Sequence, residues 1–300
     1  MAGENERFGF VGVIGPSNAG KSTLINHLVG GKVSIVTSKV QTTRARVLGI
    51  MVHRQSQIVF IDTPGIFEPK KRLDRAMVDA AWTGSSDSDL ALLMIDAVVG
   101  VDRDAESILL GLSESKKRAM LVLNKIDLVR PEQLLVLSAD LNDRYPFEKT
   151  FMISATKGLG VNDVLNFIAD VVPEGVWHFP EDQMSDMPVR LIAAEVTREK
   201  LFSALRQEVP YSVTVETEEW EDFEDGSVKI SQTIYVERDT QKAIVLGKGG
   251  AMVKRLSTEA RTELVEMLDR NVHLFLFVKV RANWMEDRER YEPWGLNFNA

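Results

Sequence analysis

Uninterrupted apolar runs punctuate the first half of the chain, at Phe8 to Ile14, Leu90 to Asp96 and Ala119 to Leu123. Short runs of this kind, bounded by turn residues, predict strands buried on both faces of a parallel sheet. Val47–Val52 and Gln57–Ile61 are expected to pair as a hairpin around His53–Ser56, and Thr150–Ile153 reads as one more strand. Apolar residues recur at three- and four-residue spacing over Lys21–Val29, Asp104–Lys117, Pro131–Asn142 and Val161–Val172, which predicts helices. Residues 32–46 carry Ser34, Thr37, Ser38, Gln41, Thr42 and Thr43 with little periodicity, a long loop of the sort compact domains keep for function. Strands alternating with helices give an α/β domain, a mostly parallel sheet with helices on both faces.

Residues 173–188 hold three prolines and no apolar period, so a linker is expected, with a first domain at 1–175 and the linker proper at 176–188. A second domain, 189–300, restarts with a helical pattern over Val189–Arg206 and alternating strands at Tyr211–Glu218 and Val228–Val236. Between the strands, 216–225 contains seven carboxylates and reads as a solvated hairpin tip rather than an ion site. The sequence Gly247-Lys248-Gly249-Gly250, a helix over Met252–Leu268 and a strand at Leu274–Val280 follow. The tail Trp284–Trp294 is expected to pack on this second domain.

Composition narrows the class. With 44% hydrophobic and 27% charged residues in 300, the chain is ordinary for a globular protein, and no run of eighteen apolar residues predicts a membrane span. Met1–Arg7 is polar, without a signal core. The absence of cysteine rules out disulfides and Cys-ligated zinc and fits a reducing cytoplasm. The four histidines show no metal-ligand spacing and are read as structural. A net charge of −8 argues against generic nucleic-acid binding. That average conceals a local difference. Residues 188–300 hold 16 Lys and Arg against 20 Asp and Glu, and setting aside the seven carboxylates of 216–225 leaves 16 against 13.

The chemistry is concentrated at strand ends. Gly15-Pro16-Ser17-Asn18-Ala19-Gly20-Lys21-Ser22 follows the first strand and opens a helix with Thr23, which is the P-loop arrangement. Its backbone N–H groups can converge on phosphate oxygens, Lys21 can reach the β- and γ-phosphates, and the Ser22 hydroxyl can hold Mg²⁺. Asp62-Thr63-Pro64-Gly65 ends another strand, where Asp62 suits Mg²⁺ held through water and the Gly65 N–H suits a γ-phosphate. Asn124-Lys125-Ile126-Asp127 is more specific. Asp127 can accept both the N1–H and the exocyclic amino group of guanine, a donor pair adenine lacks, while Asn124 ties down the P-loop and the Lys125 stem covers the ring. Ser154-Ala155-Thr156 can donate a backbone N–H to the guanine carbonyl.

These four motifs, in this order and each at a strand end, resemble the nucleotide motifs of translation-factor-related GTPases. The resemblance implies a threonine ligand to Mg²⁺ in the loop before the hairpin. Gln41-Thr42-Thr43-Arg44 supplies Thr43, with Thr42 as the alternative. It also draws attention to Ile66, which stands where Ras-like proteins carry a water-orienting glutamine. Asn18 occupies the place of an asparagine that helps related GTPases bind a monovalent cation, so K⁺-assisted hydrolysis is expected, with Lys21, Thr43 and Asn18 as the catalytic set. The element order of the second domain is similar to a KH domain of the bacterial topology if Asp239–Val245 forms the short middle helix that the resemblance implies. Its Gly247–Gly250 loop matches the G-x-x-G clamp for single-stranded RNA, with Lys248, Lys254, Arg255, Arg198 and Lys200 as basic companions on one face.

A GTPase domain joined to a C-terminal KH domain resembles the Era family of bacterial ribosome-assembly GTPases over nearly the whole chain. The polar-basic loop Phe67–Arg72 also matches that family, and residues 32–46 and 66–80 are the expected switches. Membership implies GTP and GDP as ligands, Mg²⁺ as cofactor, and binding near the 3′ end of 16S ribosomal RNA during 30S subunit assembly. It further implies a monomeric cytoplasmic protein that associates peripherally with the inner face of the cell membrane. Two rival classes are a metabolic P-loop ATPase or kinase, which Asn124–Asp127 argues against, and a GTP-regulated adaptor that binds no RNA.

Overall fold

A computed structural model of the chain describes residues 6–300, so most of the polar stretch Met1–Arg7 lies outside the described residues. Contacts divide the chain into two units. The first comprises the residues up to Ser34, Thr43–Asp186 and Tyr291–Ala300; the second comprises Ile35–Thr42 and Met187–Arg290.

The first unit runs β1 (Arg7–Ile14), α1 (Lys21–Val29), β2 (Val47–His53), β3 (Ser56–Asp62), α2 (Arg72–Ser86), β4 (Leu90–Asp96), α3 (Arg103–Ser115), β5 (Ala119–Asn124), α4 (Pro131–Arg144), β6 (Thr150–Met152) and α5 (Val161–Val171). The sheet order is β2-β3-β1-β4-β5-β6, parallel throughout except for β2, which pairs antiparallel with β3. Strand alternation sorts the apolar residues into two cores. Leu92, Met94, Met120 and Val122 pack with residues of α1 and α5 on one face. Ala91, Leu93, Ile95, Leu121 and Leu123 pack with residues of α2, α3 and α4 on the other. Both faces are covered, which is why β4 and β5 read as continuous apolar runs. The four strand ends expected to carry chemistry therefore open at one edge of this sheet, where ligands of such folds bind.

Helix α2 is not evident from the sequence, where a polar-basic loop through Arg72 and a switch to about residue 80 are expected instead. Its buried face is Leu73, Ala76, Met77 and Ala81, and alanine contributes little to an apolar pattern. Helix α3 has a plain local determinant. The Asp102 carboxylate accepts from Ala105 N–H at 2.8 Å at its N-terminus. Asp102→Ala should cost roughly 1 kcal/mol, read as a lower urea midpoint with unchanged slope.

The stretch expected to link two domains is fastened to the first unit. His178 and Phe179 N–H groups donate to Gln57 Oε1 at 2.9 and 3.0 Å, and Ile50 N–H donates to the Met184 carbonyl at 2.8 Å.

The second unit runs α6 (Val189–Ala204), β7 (Val213–Asp222), β8 (Val228–Val236), α7 (Asp239–Leu246), α8 (Ala251–Leu268) and β9 (Val272–Val280). Its sheet is β7-β8-β9, the first pair antiparallel and the second parallel. One face of the sheet buries Val213, Val215, Ile230, Ile234 and Leu274 against Ala193, Leu201, Leu256, Ala260 and Leu264 of α6 and α8.

Two expectations are corrected here. The acidic stretch 216–225 is mostly strand, because β7 continues to Asp222 past a bulge at Thr217/Glu219. Neighbouring cations offset its carboxylates: Lys229 lies 3.5 and 3.3 Å from Glu219 and Glu221, Arg270 lies 2.7 Å from Asp222, and Arg290 pairs with Glu216. The tail also divides. Trp284 Nε1–H donates to the Ser212 carbonyl at 3.1 Å within the second unit. From Tyr291 onward the chain belongs to the first unit, where Arg72 donates to the Phe298 carbonyl at 3.1 Å and lies 4.5 Å over that ring.

Candidate functional site

The P-loop leaves β1 at Ile14 and enters α1 at Lys21, so the N-terminus of α1 faces the loop's hollow. Lys21 is buried, and its ammonium donates to the carbonyls of Gly15 and Pro16, both at 3.0 Å. Burial pushes its pKa down to about 8, with Asp62 pulling the other way. An anion placed in the hollow supplies the compensating charge this ammonium lacks. Asn18 stands exposed on the loop at φ 64°. Thr23 is half-buried one residue beyond Ser22.

Three oxygens converge beside Lys21. Ser22 Oγ donates to Asp62 Oδ2 at 2.7 Å and lies 3.0 Å from Thr43 Oγ1, which itself donates to Asp62 Oδ2 at 3.3 Å. The other carboxylate oxygen, Asp62 Oδ1, is buried with no hydrogen-bond partner. Burial raises the Asp62 pKa, although Ser34, Ser22, Lys21 and Thr43 all oppose that. An orphaned carboxylate oxygen amid two hydroxyls suits a hard divalent cation that takes oxygen ligands, so the residues fit Mg²⁺. Among the described residues no three His, Asp or Glu side chains cluster as a metal site.

Thr43 rather than Thr42 reaches this cluster. The Thr42 hydroxyl is taken by the Lys39 carbonyl at 2.6 Å. Gly65 approaches the P-loop closely, since a Cβ there would fall 2.6 Å from Ser17 Oγ. The two phosphate-facing loops can thus share one small space. Pro64 and Thr63 are buried beneath it, and the Thr63 hydroxyl donates to the Val13 carbonyl at 2.8 Å. Ile66 is buried in the α2–α4 core, and its N–H donates to the Gly15 carbonyl at 3.3 Å.

The base-recognition motifs meet through Asn124. Its Nδ2 donates to the Ala19 carbonyl at 2.8 Å, and its Oδ1 accepts from Ala155 N–H at 3.0 Å, so one buried amide ties the P-loop to the 154–156 turn. Lys125, at φ 64°, pairs with Asp96 at 2.6 Å. The Ser154 hydroxyl and then the Lys157 ammonium, 3.1 Å away, hold the Asp127 carboxyl below the usual range. It stays ionised as an acceptor. Thr156 is exposed at the turn.

Sequence reasoning missed three supports. Ser34 Oγ donates to Asp62 Oδ2 at 2.6 Å, fixing the carboxylate from the loop side. Asn26 Oδ1 accepts from Val33 and Ser34 N–H, both at 3.0 Å, and so fixes Ser34. Asp96 is the partner of Lys125; its place at the end of an apolar strand was the available signal.

In the second unit Gly247, Gly249 and Gly250 adopt φ of 71°, 59° and 79°, and the turn they form delivers the chain into α8. Nothing lies within 4 Å of a Cβ built at Gly249 or Gly250, so the loop is open to a backbone approaching the helix N-terminus. Lys248, Lys254 and Arg255 are exposed around it. The acidic strand β7 lies at the opposite edge of the sheet from β9, against which α7 packs.

Arg198 and Lys200 do not join that basic face. Arg198 is 1% exposed and pairs with Glu195 at 2.5 Å, while Lys200 pairs with Glu199 at 3.2 Å and with Glu263. Both sit on α6 where acidic neighbours claim them.

Comparison with known proteins places both units. Residues 10–125 match the family model of the 50S ribosome-binding GTPases, and residues 208–285 match the KH domain. The chain is 60% identical to GTPase Era of Rhizobium meliloti over 97% of its length and 93% of that protein's. It is 56% identical to GTPase Era of Brucella suis, covering 97% and 94%. Among solved structures it is similar to Era in complex with MgGDPNP and nucleotides 1506–1542 of 16S ribosomal RNA, at TM-score 0.92 and 38% identity over 97% of this chain and 99% of that one. A variant of Aquifex aeolicus Era bound to GDP·AlF4⁻ is similar at TM-score 0.91 and 38% identity, over 96% and 99%.

Proposed function

The chain belongs to the Era family of GTPases, and from that membership and the geometry above we propose that it couples GTP binding and hydrolysis to holding the 3′ region of 16S ribosomal RNA during 30S subunit assembly. It is a GTP hydrolase with a P-loop domain and a KH domain. One observation carries the proposed coupling: a single chain combines a site whose Asn124, Asp127, Ser22, Thr43 and Asp62 fit Mg²⁺·GTP with an open, basic Gly247–Gly250 loop at a helix N-terminus.

Ser22 and Thr43 would hold Mg²⁺ directly and Asp62 through water, and the ion would neutralise charge on the β- and γ-phosphates. The chain's own contribution is to orient. Lys21 turns from the Gly15 and Pro16 carbonyls to phosphate oxygens, the P-loop N–H groups and Gly65 N–H face the transferred group, and Asp127 selects guanine. We propose functional domains at 1–175 and 189–300, with Gly247–Gly250, Lys248, Lys254 and Arg255 contacting RNA. Peripheral association with the inner face of the cell membrane, a cytoplasmic location and a monomeric state belong to the same proposal and rest on the family resemblance.

Buried Ile66 supplies no water-orienting group, so charge stabilisation has to come from elsewhere. Exposed Asn18 at the phosphate hollow supports a K⁺ ion in that role. Turnover in KCl is expected to exceed that in NaCl on the order of tenfold, and Asn18→Ala should abolish the difference. Equal turnover in the two salts removes K⁺ from the mechanism. The coupling itself is tested by crosslinking the protein to 16S 3′-terminal RNA with GDP, a GTP analogue or no nucleotide. Crosslinks concentrated at 247–255 and strongest with the analogue are expected. Crosslinking indifferent to nucleotide, or a preference for ATP over GTP, overturns the reading.

A further inference from the structure

The long loop after α1 is anchored in an unexpected place. Its middle, Ile35–Thr42, groups with the KH unit, whereas Thr43 groups with the GTPase unit. Helix α6 provides the anchor. Glu199 Oε1 accepts from Val36 N–H at 2.8 Å. Lys39 Nζ donates to the carbonyls of Phe202, in the last turn of the helix, and at 2.9 Å of Leu205, the residue that caps it, where a cation is favoured. The Arg198 guanidinium donates through Nη1 to the Gln41 carbonyl at 3.4 Å and through Nη2 to the Thr42 carbonyl.

Arg198 is built to do this and little else. At 1% exposure it has no reach to solvent or to RNA. Glu195 fixes its planar fork, with Nε and Nη2 donating to Oε1 and Oε2 at 2.6 and 2.5 Å, and its guanidinium lies 4.9 Å over the Phe202 ring. Desolvating such a pair is costly, and the remaining N–H groups must find acceptors. Those acceptors are two successive carbonyls of the loop. Gln41 is held at φ 59°, and the Thr37 and Thr42 hydroxyls lie 2.6 Å apart.

The next residue is Thr43, whose hydroxyl meets Ser22 and Asp62. Consecutive Cα atoms are about 3.8 Å apart across a trans peptide, so fixing the 41 and 42 carbonyls leaves the Thr43 Cα little freedom. We infer that Arg198 is a positioning residue of the GTPase reaction. By holding the carbonyls of Gln41 and Thr42 it sets the backbone that leads directly into Thr43, and so contributes to selecting GTP over GDP. The inference rests on the reading of Thr43 as a Mg²⁺ ligand.

The test compares Arg198→Lys, Thr43→Ala and the double variant in the full-length protein. Lysine keeps the charge beside Glu195 but loses the fork. Affinities for GDP and for a non-hydrolysable GTP analogue are measured across Mg²⁺ concentrations, with protease cleavage after Lys39 as a second readout. Arg198→Lys is expected to weaken analogue binding about tenfold, raise the Mg²⁺ needed, leave GDP affinity unchanged and speed cleavage after Lys39. The double variant should bind analogue no more weakly than Thr43→Ala alone. Glu195→Gln, which loosens the fork, serves if Arg198→Lys fails to fold, and should show the same pattern at smaller amplitude. If Thr43→Ala leaves analogue affinity intact, the metal-ligand reading itself fails. If Thr43→Ala weakens binding while Arg198→Lys and Glu195→Gln do not, or if the two losses add, the positioning role is overturned.

Discussion

Asp127→Asn should turn the protein from a guanine to a xanthine nucleotide binder. The carboxylate at this position accepts two hydrogen bonds from guanine, and the Ser154 hydroxyl and Lys157 ammonium keep it charged. Hydrogen bonds to a charged group are worth about 1.5–3 kcal/mol each, so losing the pair costs roughly two to four orders of magnitude in affinity. An asparagine also presents an N–H where guanine presents its amino group, which adds repulsion to the loss. Xanthine carries a carbonyl at that position and accepts from the new amide. The reversal should therefore be complementary rather than a general weakening. Competition of guanosine and xanthosine diphosphates against a fluorescent nucleotide measures it. A variant that keeps its guanine preference removes Asp127 from base recognition. Asn124 offers no comparable swap, because both ends of its amide are engaged by Ala19 and Ala155.

The parts legible in sequence are those where residue type alone dictates chemistry. Gly15–Ser22, Asp62–Gly65 and Asn124–Asp127 each follow an apolar run, and a parallel sheet brings its strand ends to one edge. What stays hidden is set by partners distant in sequence. Ser34 is an ordinary loop serine until Asn26 draws it to Asp62. Helix α2 is masked by alanines, whose burial depends on close packing rather than on hydropathy. Arg198 shows the limit most clearly. In the sequence it is one more cation on an RNA-binding domain. Only the fold reveals that Glu195 and two loop carbonyls enclose it. A long side chain is assigned to a surface by default, and its burial depends on which acceptors the tertiary structure gathers.

The second large effect is on RNA. Replacing both Gly249 and Gly250 by Asp should reduce affinity for the 16S 3′-terminal strand on the order of 100-fold, because carboxylates would stand where phosphates approach. The substitution isolates binding from folding. Both residues have left-handed φ, 59° and 79°, which Asp tolerates better than most L-residues. Nothing lies within 4 Å of a Cβ added at either position, so no clash follows. Acidic residues ahead of the first turn of α8 even favour that helix electrostatically. Circular dichroism and nucleotide affinity should be unchanged, while the dependence of RNA affinity on salt becomes shallower as the loop stops displacing counterions. Lys248→Ala removes one cation without adding repulsion, and its loss should be several-fold smaller. Retained RNA affinity in the double Asp variant would move RNA recognition off this loop. The chain would then act through protein or membrane partners, with GTP controlling something other than a nucleic-acid clamp.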